Sequence, residues 1–320
     1  MKFIVRTIAA VLLPVLLVAC DKTPAPPLVF GSSLWMGYEP VYLARDLGYF
    51  SADNLRLDEY GQASEVQQAF RKHELHLAAV TLDEALQLRR DIPDLKIVLL
   101  FDASNGADVI LAQSGIANMN QLQGHRVGME NTVQGEYLLS LALKSSGMQT
   151  GQVEIVPMPV AEQEAAFRAH KVDALVTSDP VRMRLLETGA QNVFDSARVP
   201  GKILNVLVTR DDDMGRYHHE MVELVRGWQR ALEYIHAEPD KAMQAMSRHK
   251  HVDAIQFGRA MQGIELLGLQ RNRELLLGEQ PAVGISVEAV QRFLLERGLI
   301  NMGADTSTLL DTSLLAGGVQ

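Results

Sequence analysis

The sequence predicts an α/β protein folded as two lobes. Three observations carry this expectation. From Leu28 onward, segments of strand character alternate with segments of helical character, a rhythm that argues for a parallel sheet with helices on its faces. The same rhythm starts again near residue 108. A further strand-like run, Ile203–Thr209, then precedes a stretch that is nearly all helical. A chain that leaves one α/β unit, builds a second and returns to the first implies a cleft crossed by two hinges.

In the first unit, Leu28–Gly31, Leu55–Tyr60, Leu77–Val80 and Lys96–Phe101 read as strands, with helices at Val41–Leu47, Ser64–Lys72 and Leu82–Arg90. In the second, the strands are Val109–Ala112, Arg126–Gly128, Val153–Val156, Ala174–Val176 and Asn192–Phe194. Its helices are Thr132–Ser146, Glu162–Ala169 and Val181–Glu187, with Gly147 and Gly189 placed as C-terminal stops. From Tyr217 onward helices dominate. Pro239 starts one, and others fall near Val252–Ile264 and Val287–Arg297. The expected boundaries are residues 28–107 with 203–320 for the first lobe and 108–202 for the second.

The N-terminus carries a different signal. Lys2 and Arg6 precede an apolar run, Ile8–Val18, which is too short to span a bilayer. Small Ala19 precedes Cys20, the single cysteine. The pattern resembles a bacterial lipobox, with residues 1–19 as signal peptide and Cys20 as the lipidated residue. Residues 20–27 then form a proline-rich linker, extended and semi-rigid. Asp21 resembles the signal that retains lipoproteins at the periplasmic face of the inner membrane. A Cys20 used this way leaves no thiol for a disulfide, metal site or nucleophile.

The formal net charge is −9, and removal of residues 1–19 with Lys2 and Arg6 takes it to −11. That sign, without any Lys/Arg-rich run, excludes nucleic acid as a partner. An apolar content of 47% with 22% charged residues is ordinary globular composition. The expected membrane link is therefore the acyl chains on Cys20.

Four segments together resemble one family. They are Pro40–Phe50, which ends in Gly48-Tyr49-Phe50; Asn118–Gly128; Ala165–Ala174, with Val172-Asp173-Ala174; and Ser178-Asp179-Pro180. In order and spacing they resemble the solute-binding proteins of ABC importers for taurine, sulfonates, nitrate and thiamine-precursor pyrimidines, the NMT1/THI5-like group, over roughly Leu28 to Leu299. His170 stands where that group usually has glycine, and Ser178 where it has an aromatic residue. The resemblance implies a type II periplasmic-binding-protein fold whose lobes close on a ligand. It also implies delivery of that ligand to an ABC permease, by a monomer. A sensory lipoprotein serving a membrane kinase or cyclic-dinucleotide enzyme would make the same demands on the cleft.

Ligands of open α/β sheets sit beyond the carboxyl ends of the strands. The residues placed there are Trp35, Tyr38 and Glu39 after the first strand, and Thr81 and Asp83 after the third. Ser104, Asn105 and Asp108 fall at the first hinge, Glu130, Thr132 and Gln134 in the second lobe, and Ser178 and Asp179 after its last helix-flanked strand. Trp35 and Tyr38 could stack on a ring and Glu39 meet a cation, while Thr81, Asp83 and Asp179 have helix capping as a competing role. Gly106 gives the hinge freedom to bend. With Asp102 just before the hinge, these segments contain six carboxylates and neither Arg nor Lys. That favours a heterocyclic or amine-bearing ligand over a bare sulfonate, which needs cationic donors.

Other constellations carry less. His73/His76, His218-His219 and His249-Lys250-His251 lack zinc-site spacing and lie in charged segments expected to be exposed, so no metal is expected. Asp211-Asp212-Asp213 reads as a solvated loop without calcium-loop spacing. There is no nucleophile elbow, and the cysteine-rich motif of a pyrimidine-synthesising branch of this fold is absent. Neither catalysis nor a cofactor is expected.

Overall fold

The computed structural model describes residues 26–315. The expected signal peptide, residues 1–19, and the expected lipidation site Cys20 lie outside the described residues. Among the described residues no helix is long and apolar enough to cross a membrane.

Two sheets organise the chain. The first contains β1 (Leu28–Ser32), β2 (Leu55–Glu59), β3 (Leu77–Thr81), β4 (Leu95–Ser104), β10 (Leu204–Arg210) and β11 (Ile264–Leu266), in the order β11-β4-β10-β3-β1-β2. The second contains β5 (Val109–Ala112), β6 (Arg126–Met129), β7 (Glu154–Pro157), β8 (Ala174–Thr177) and β9 (Gln191–Asp195), in the order β7-β6-β8-β5-β9. Both sheets are mixed. In the first, β1, β2 and β3 are parallel and β10 runs antiparallel between β3 and β4. In the second, β6, β7 and β8 are parallel and β5 is antiparallel to β8. The four strands of the β-α alternation, β1 to β4, run in one direction, and β10 is inserted among them antiparallel.

Alternation along the strands builds the cores. Val109 and Leu111 belong to one apolar cluster of the second sheet, Ile110 and Ala112 to the cluster on its other face. Such a strand is buried on both faces and reads as a continuous apolar run. Fully buried β1, β3 and β10 follow the same rule around the larger core of the first sheet.

The helices of the first unit are α1 (Glu39–Asp46), α2 (Ala63–Arg71) and α3 (Leu82–Asp91); those of the second are α4 (Val133–Ser145), α5 (Val160–Arg168) and α6 (Val181–Leu186). The C-terminal region adds α7 (Asp211–Ala237), α8 (Pro239–His249), α9 (Ala254–Met261), α10 (Leu269–Leu276), α11 (Gly284–Glu296) and α12 (Thr306–Leu309). Asp211–Asp213 form the first turn of α7, not a loop. Three carboxylates there face the positive end of the helix dipole, and Asp213 pairs with buried Arg210 at 3.2 Å.

The chain crosses between sheets twice, over residues 105–108 and 196–203, and hydrogen bonds stitch the two crossings together. Ser104 Oγ and Ser196 Oγ lie 2.7 Å apart, Gly106 N donates to Ser196 Oγ at 2.7 Å, and Ser196 N donates to the Asp108 carbonyl at 2.9 Å. Gly106 takes φ 104°, which no side chain adopts readily. Helix α4 also reaches the first unit: Tyr137 packs on Phe293 at 5.1 Å, and Glu136 pairs with Arg297 at 3.1 Å.

Candidate ligand cleft

A cavity of about 80 Å³ opens at the carboxyl ends of β6 and β8. Its polar lining is Asp108, Glu130, Thr132, Gln134, Gln163, Thr177 and Ser178, and Leu138, Val160 and Val176 supply apolar wall. Drug-sized sites start near about 300 Å³, so this space suits a group of few heavy atoms. The elements explain the positions. Glu130 follows β6 directly. Thr132 caps α4, its hydroxyl oxygen accepting from Gly135 N at 3.2 Å, and Gln134 lies in the first turn. Gln134 Nε2 reaches across to Asp108 Oδ1 at 3.1 Å.

Asp108 is buried, and burial pushes its carboxyl up to about 6. Asp83, in the first turn of α3, is also buried; desolvation, then the charge of Glu84, lifts it to about 7, with Asp108 adding to the rise. Oδ2 of each has no hydrogen-bond partner, and neither does the Tyr137 hydroxyl. Burial raises Glu130 as well. Thr81 caps α3, its backbone N–H donating to Glu84 at 3.0 Å.

A second polar group lies beyond β1. The Trp35 indole N–H donates to Asp102 at 3.1 and 3.2 Å. Asn205 Nδ2 donates to Asp102 Oδ1 at 2.7 Å, and the Tyr38 hydroxyl donates to Asn205 Oδ1 at 2.9 Å. Burial pushes Asp102 up to about 7 against these donors. Tyr38 is sealed, edge-on to Phe101 at 5.5 Å. The expectation that it stacks on a ligand is corrected: its ring is core and its hydroxyl orients Asn205. Trp35 is half-buried and packs against the core of the first sheet.

Two further placements differ from the sequence reading. The Glu39 carboxylate is wholly buried, 2.9 Å from His249 Nδ1 and 3.1 Å from Lys250 Nζ, and Lys250 also pairs with Glu59. Burial raises Glu39 while these cationic neighbours hold it down. It is not free to meet a ligand cation. Glu39, Glu59 and His249 bring ligand atoms within 4.8 Å of one another, but the Lys250 ammonium lies between the two carboxylates. His249 and Lys250 are therefore not exposed as the charge pattern suggested. His76 is also half-buried, its Nδ1 accepting from Val29 N at 2.9 Å.

Asp179 is the other correction. It does not cap α6; Arg182 holds it at 2.7 Å and donates to the Gly106 carbonyl at 3.2 Å. Ser104 is buried in the hinge stitching, and Asn105 is exposed with its backbone N–H on Gly263 O at 2.8 Å. The structure thus gathers Asp108, Glu130, Thr132, Gln134 and Ser178 at one cavity, while Asp83 does not line it. Sequence reasoning missed Gln163, Tyr137, Arg182 and Asn205. Gln163 sits in an ordinary polar helix and meets Thr177 Oγ1 at 2.7 Å only through the fold.

The NMT1/THI5-like family model matches residues 35–242, and the chain belongs to that family. A binding protein of Brucella abortus (strain 2308) is 32% identical over 68 residues, 21% of each chain, so the chain spans about a fifth of the curated relatives it matches. The ligand-binding component of an ABC-type import system from Staphylococcus aureus superposes with TM-score 0.74 at 14% identity, covering 92% of this chain and 99% of that one. The periplasmic aliphatic sulphonate binding protein SsuA from Escherichia coli gives 0.73 at 15% identity, covering 88% and 97%. The fold is the two-lobed type II periplasmic-binding-protein fold.

Proposed function

We propose that this chain is a tethered extracytoplasmic solute-binding protein that captures a small polar molecule by closing its lobes and delivers it to an ABC import permease. One observation carries the reading: the cavity at the carboxyl ends of β6 and β8, beside two stitched crossings between sheets. The family and the named neighbours support the same role. Residues 28–107 with 203–320 would be one moving body and 108–202 the other, hinged at residues 105–108 and 196–203. Cys20 would be the anchor.

The ligand is heterocyclic or amine-bearing rather than a bare sulfonate. Support comes from the lining: Asp108 and Glu130 face the cavity, and the nearby guanidinium of Arg182 is engaged by Asp179. An oxyanion would meet carboxylates without a free cation to offset them. Half-buried Trp35 would be the aromatic ring for a heterocycle to meet. Mass spectrometry of small molecules released by denaturing the purified protein tests this reading. A stoichiometric compound with a basic nitrogen is expected, and it should raise the melting temperature when added back. Release of an alkanesulfonate would contradict the ligand class, and no ligand-dependent shift with any released compound would contradict the role.

A further inference from the structure

We propose that α4 is a latch between the lobes: Tyr137 seated on Phe293, with Glu136 paired to Arg297, holds the cleft closed and sets how firmly it keeps a ligand. These are positioning residues, since none of them lines the cavity. The proposal rests on the receptor reading above and names what controls its closure.

Helix α4 divides its side chains among three surroundings. Leu138, Leu139, Ala142 and Leu143 are buried in the core of the second sheet. Gln134, Gly135 and Leu138 line the cavity. Val133, Tyr137 and Leu141 pack instead with the core of the first sheet. Residues four apart lie on one side of a helix, so these three form a continuous apolar stripe. A helix that belongs to the second lobe by chain order thus turns one stripe to the first. On that lobe the stripe meets α11. The rings of Tyr137 and Phe293 lie 5.1 Å apart with their planes at 50°, and the two residues are 3% and 7% exposed. Beside them Arg297 Nη2 lies 3.1 Å from Glu136 Oε2, and its guanidinium is 5.7 Å from the centre of the Phe293 ring. The ring pair and the ion pair both join the proposed moving bodies away from the stitched crossings, so opening the cleft has to break them.

The seat is built to release as well as to hold. Burying an aromatic pair favours closure. The Tyr137 hydroxyl opposes it, because it is buried without a hydrogen-bond partner among the described residues and regains water when the lobes part. The Glu136–Arg297 pair is partly solvated, its side chains 30% and 36% exposed, and such pairs each contribute little. An aromatic seat offset by a stranded hydroxyl and steadied by a weak ion pair gives the closed form a modest advantage, one that a docked permease can reverse.

Pulsed electron-spin distance measurement on the full chain, emptied by unfolding and refolding, tests this. In a Cys20→Ser background one label goes on each lobe, through Ser64→Cys and Ala165→Cys, both at exposed positions. With no other change the short, closed distance should dominate. Tyr137→Ala and Arg297→Glu should each raise the ratio of long to short distances by at least about tenfold. Adding Glu136→Arg to Arg297→Glu swaps the charges and should reverse that rise. Adding Tyr137→Phe to Arg297→Glu removes the stranded hydroxyl and should also lower the ratio. A merely structural contact would lower the melting temperature of the single variants and leave the distances where they were, and that result would overturn the proposal. So would a long distance dominating without the latch substitutions, or an Arg297→Glu chain that neither second substitution closes. Each of these outcomes leaves the receptor reading standing, because that reading falls only on the released-molecule experiment above.

Discussion

The indole N–H of Trp35 is fixed on the carboxylate of Asp102, 3.1 Å from Oδ2 and 3.2 Å from Oδ1. This bond aims the half-buried ring from the loop after β1, and Gly37 makes room for it. A Cβ at Gly37 would run into both Asp102 Oδ2 and Trp35 Nε1. Gly37→Ala is therefore expected to break the indole bond and leave Asp102 short of a donor, at a cost of about 1–3 kcal/mol. Urea unfolding measures the cost, and a red shift in tryptophan emission reports the displaced ring. An unchanged midpoint with unchanged emission would contradict the assignment.

Lys250 is expected to matter for folding rather than for ligand. Its ammonium is the cation between Glu39, whose side chain is 0% exposed, and Glu59. Lys250→Met leaves a buried carboxylate with His249 alone, and breaking a buried pair in this way costs about 3–5 kcal/mol. Adding Glu39→Gln to that variant should restore part of the loss. A loss within about 0.5 kcal/mol, ordinary for a surface change, would show the cluster to be solvated.

The stability of the empty protein should fall as pH rises from about 4 to about 7. Asp83 and Asp102 titrate near about 7 and Asp108 near about 6, because burial disfavours their charged forms. Unfolded carboxylates titrate near about 4. Between these values the folded state holds more protons, so raising the pH favours unfolding. The charges facing these groups have the same sense or are already engaged: Glu84 beside Asp83, Asp179 beside Asp108, and Arg182 on Asp179. Asp173, held down to about 2 mainly by Arg126, works in the opposite direction but only below about pH 4. Urea midpoints across this range should decline in the native sequence and flatten in an Asp83→Asn, Asp108→Asn double variant. A rise with pH over the same window would contradict the account.

Arg182 should control the hinge. Its fork holds Asp179, and one amino group reaches the Gly106 carbonyl. Arg182→Ala is expected to lower the melting temperature and to speed amide exchange over residues 104–108 and 196–203. Arg182→Lys should not restore protection, since one ammonium cannot reproduce the fork. Unchanged exchange in both variants would separate Arg182 from the hinge.

Much of the fold is legible because the strands buried on two faces are short apolar runs. Val109–Ala112 is the same in sequence and structure, and Ala174–Val176 lacks only Thr177. Gly147 takes φ 71° at the end of α4, as its position after Ser146 suggested. His170 takes φ 53°, so the turn keeps the conformation of the glycine it replaces in the family pattern. Strand β11 and helix α10 were not legible: three residues at a sheet edge leave no periodicity, and α10 has few apolar positions. The cavity lining was legible where it follows strand ends, as at Glu130, Thr132 and Ser178. It was illegible where a partner comes from far along the chain. Nothing near Glu39 announces Lys250, and nothing near Asp102 announces Asn205.

The central claim is that the cleft holds one small basic molecule. Returning the molecule released by denaturation to refolded, emptied protein in a calorimeter tests it most directly. One site per chain, weakened by Asp108→Asn and by blocking the cavity with Gly135→Trp, is the predicted result. Heat that does not saturate, or binding that both substitutions leave intact, would contradict the assignment of this cavity.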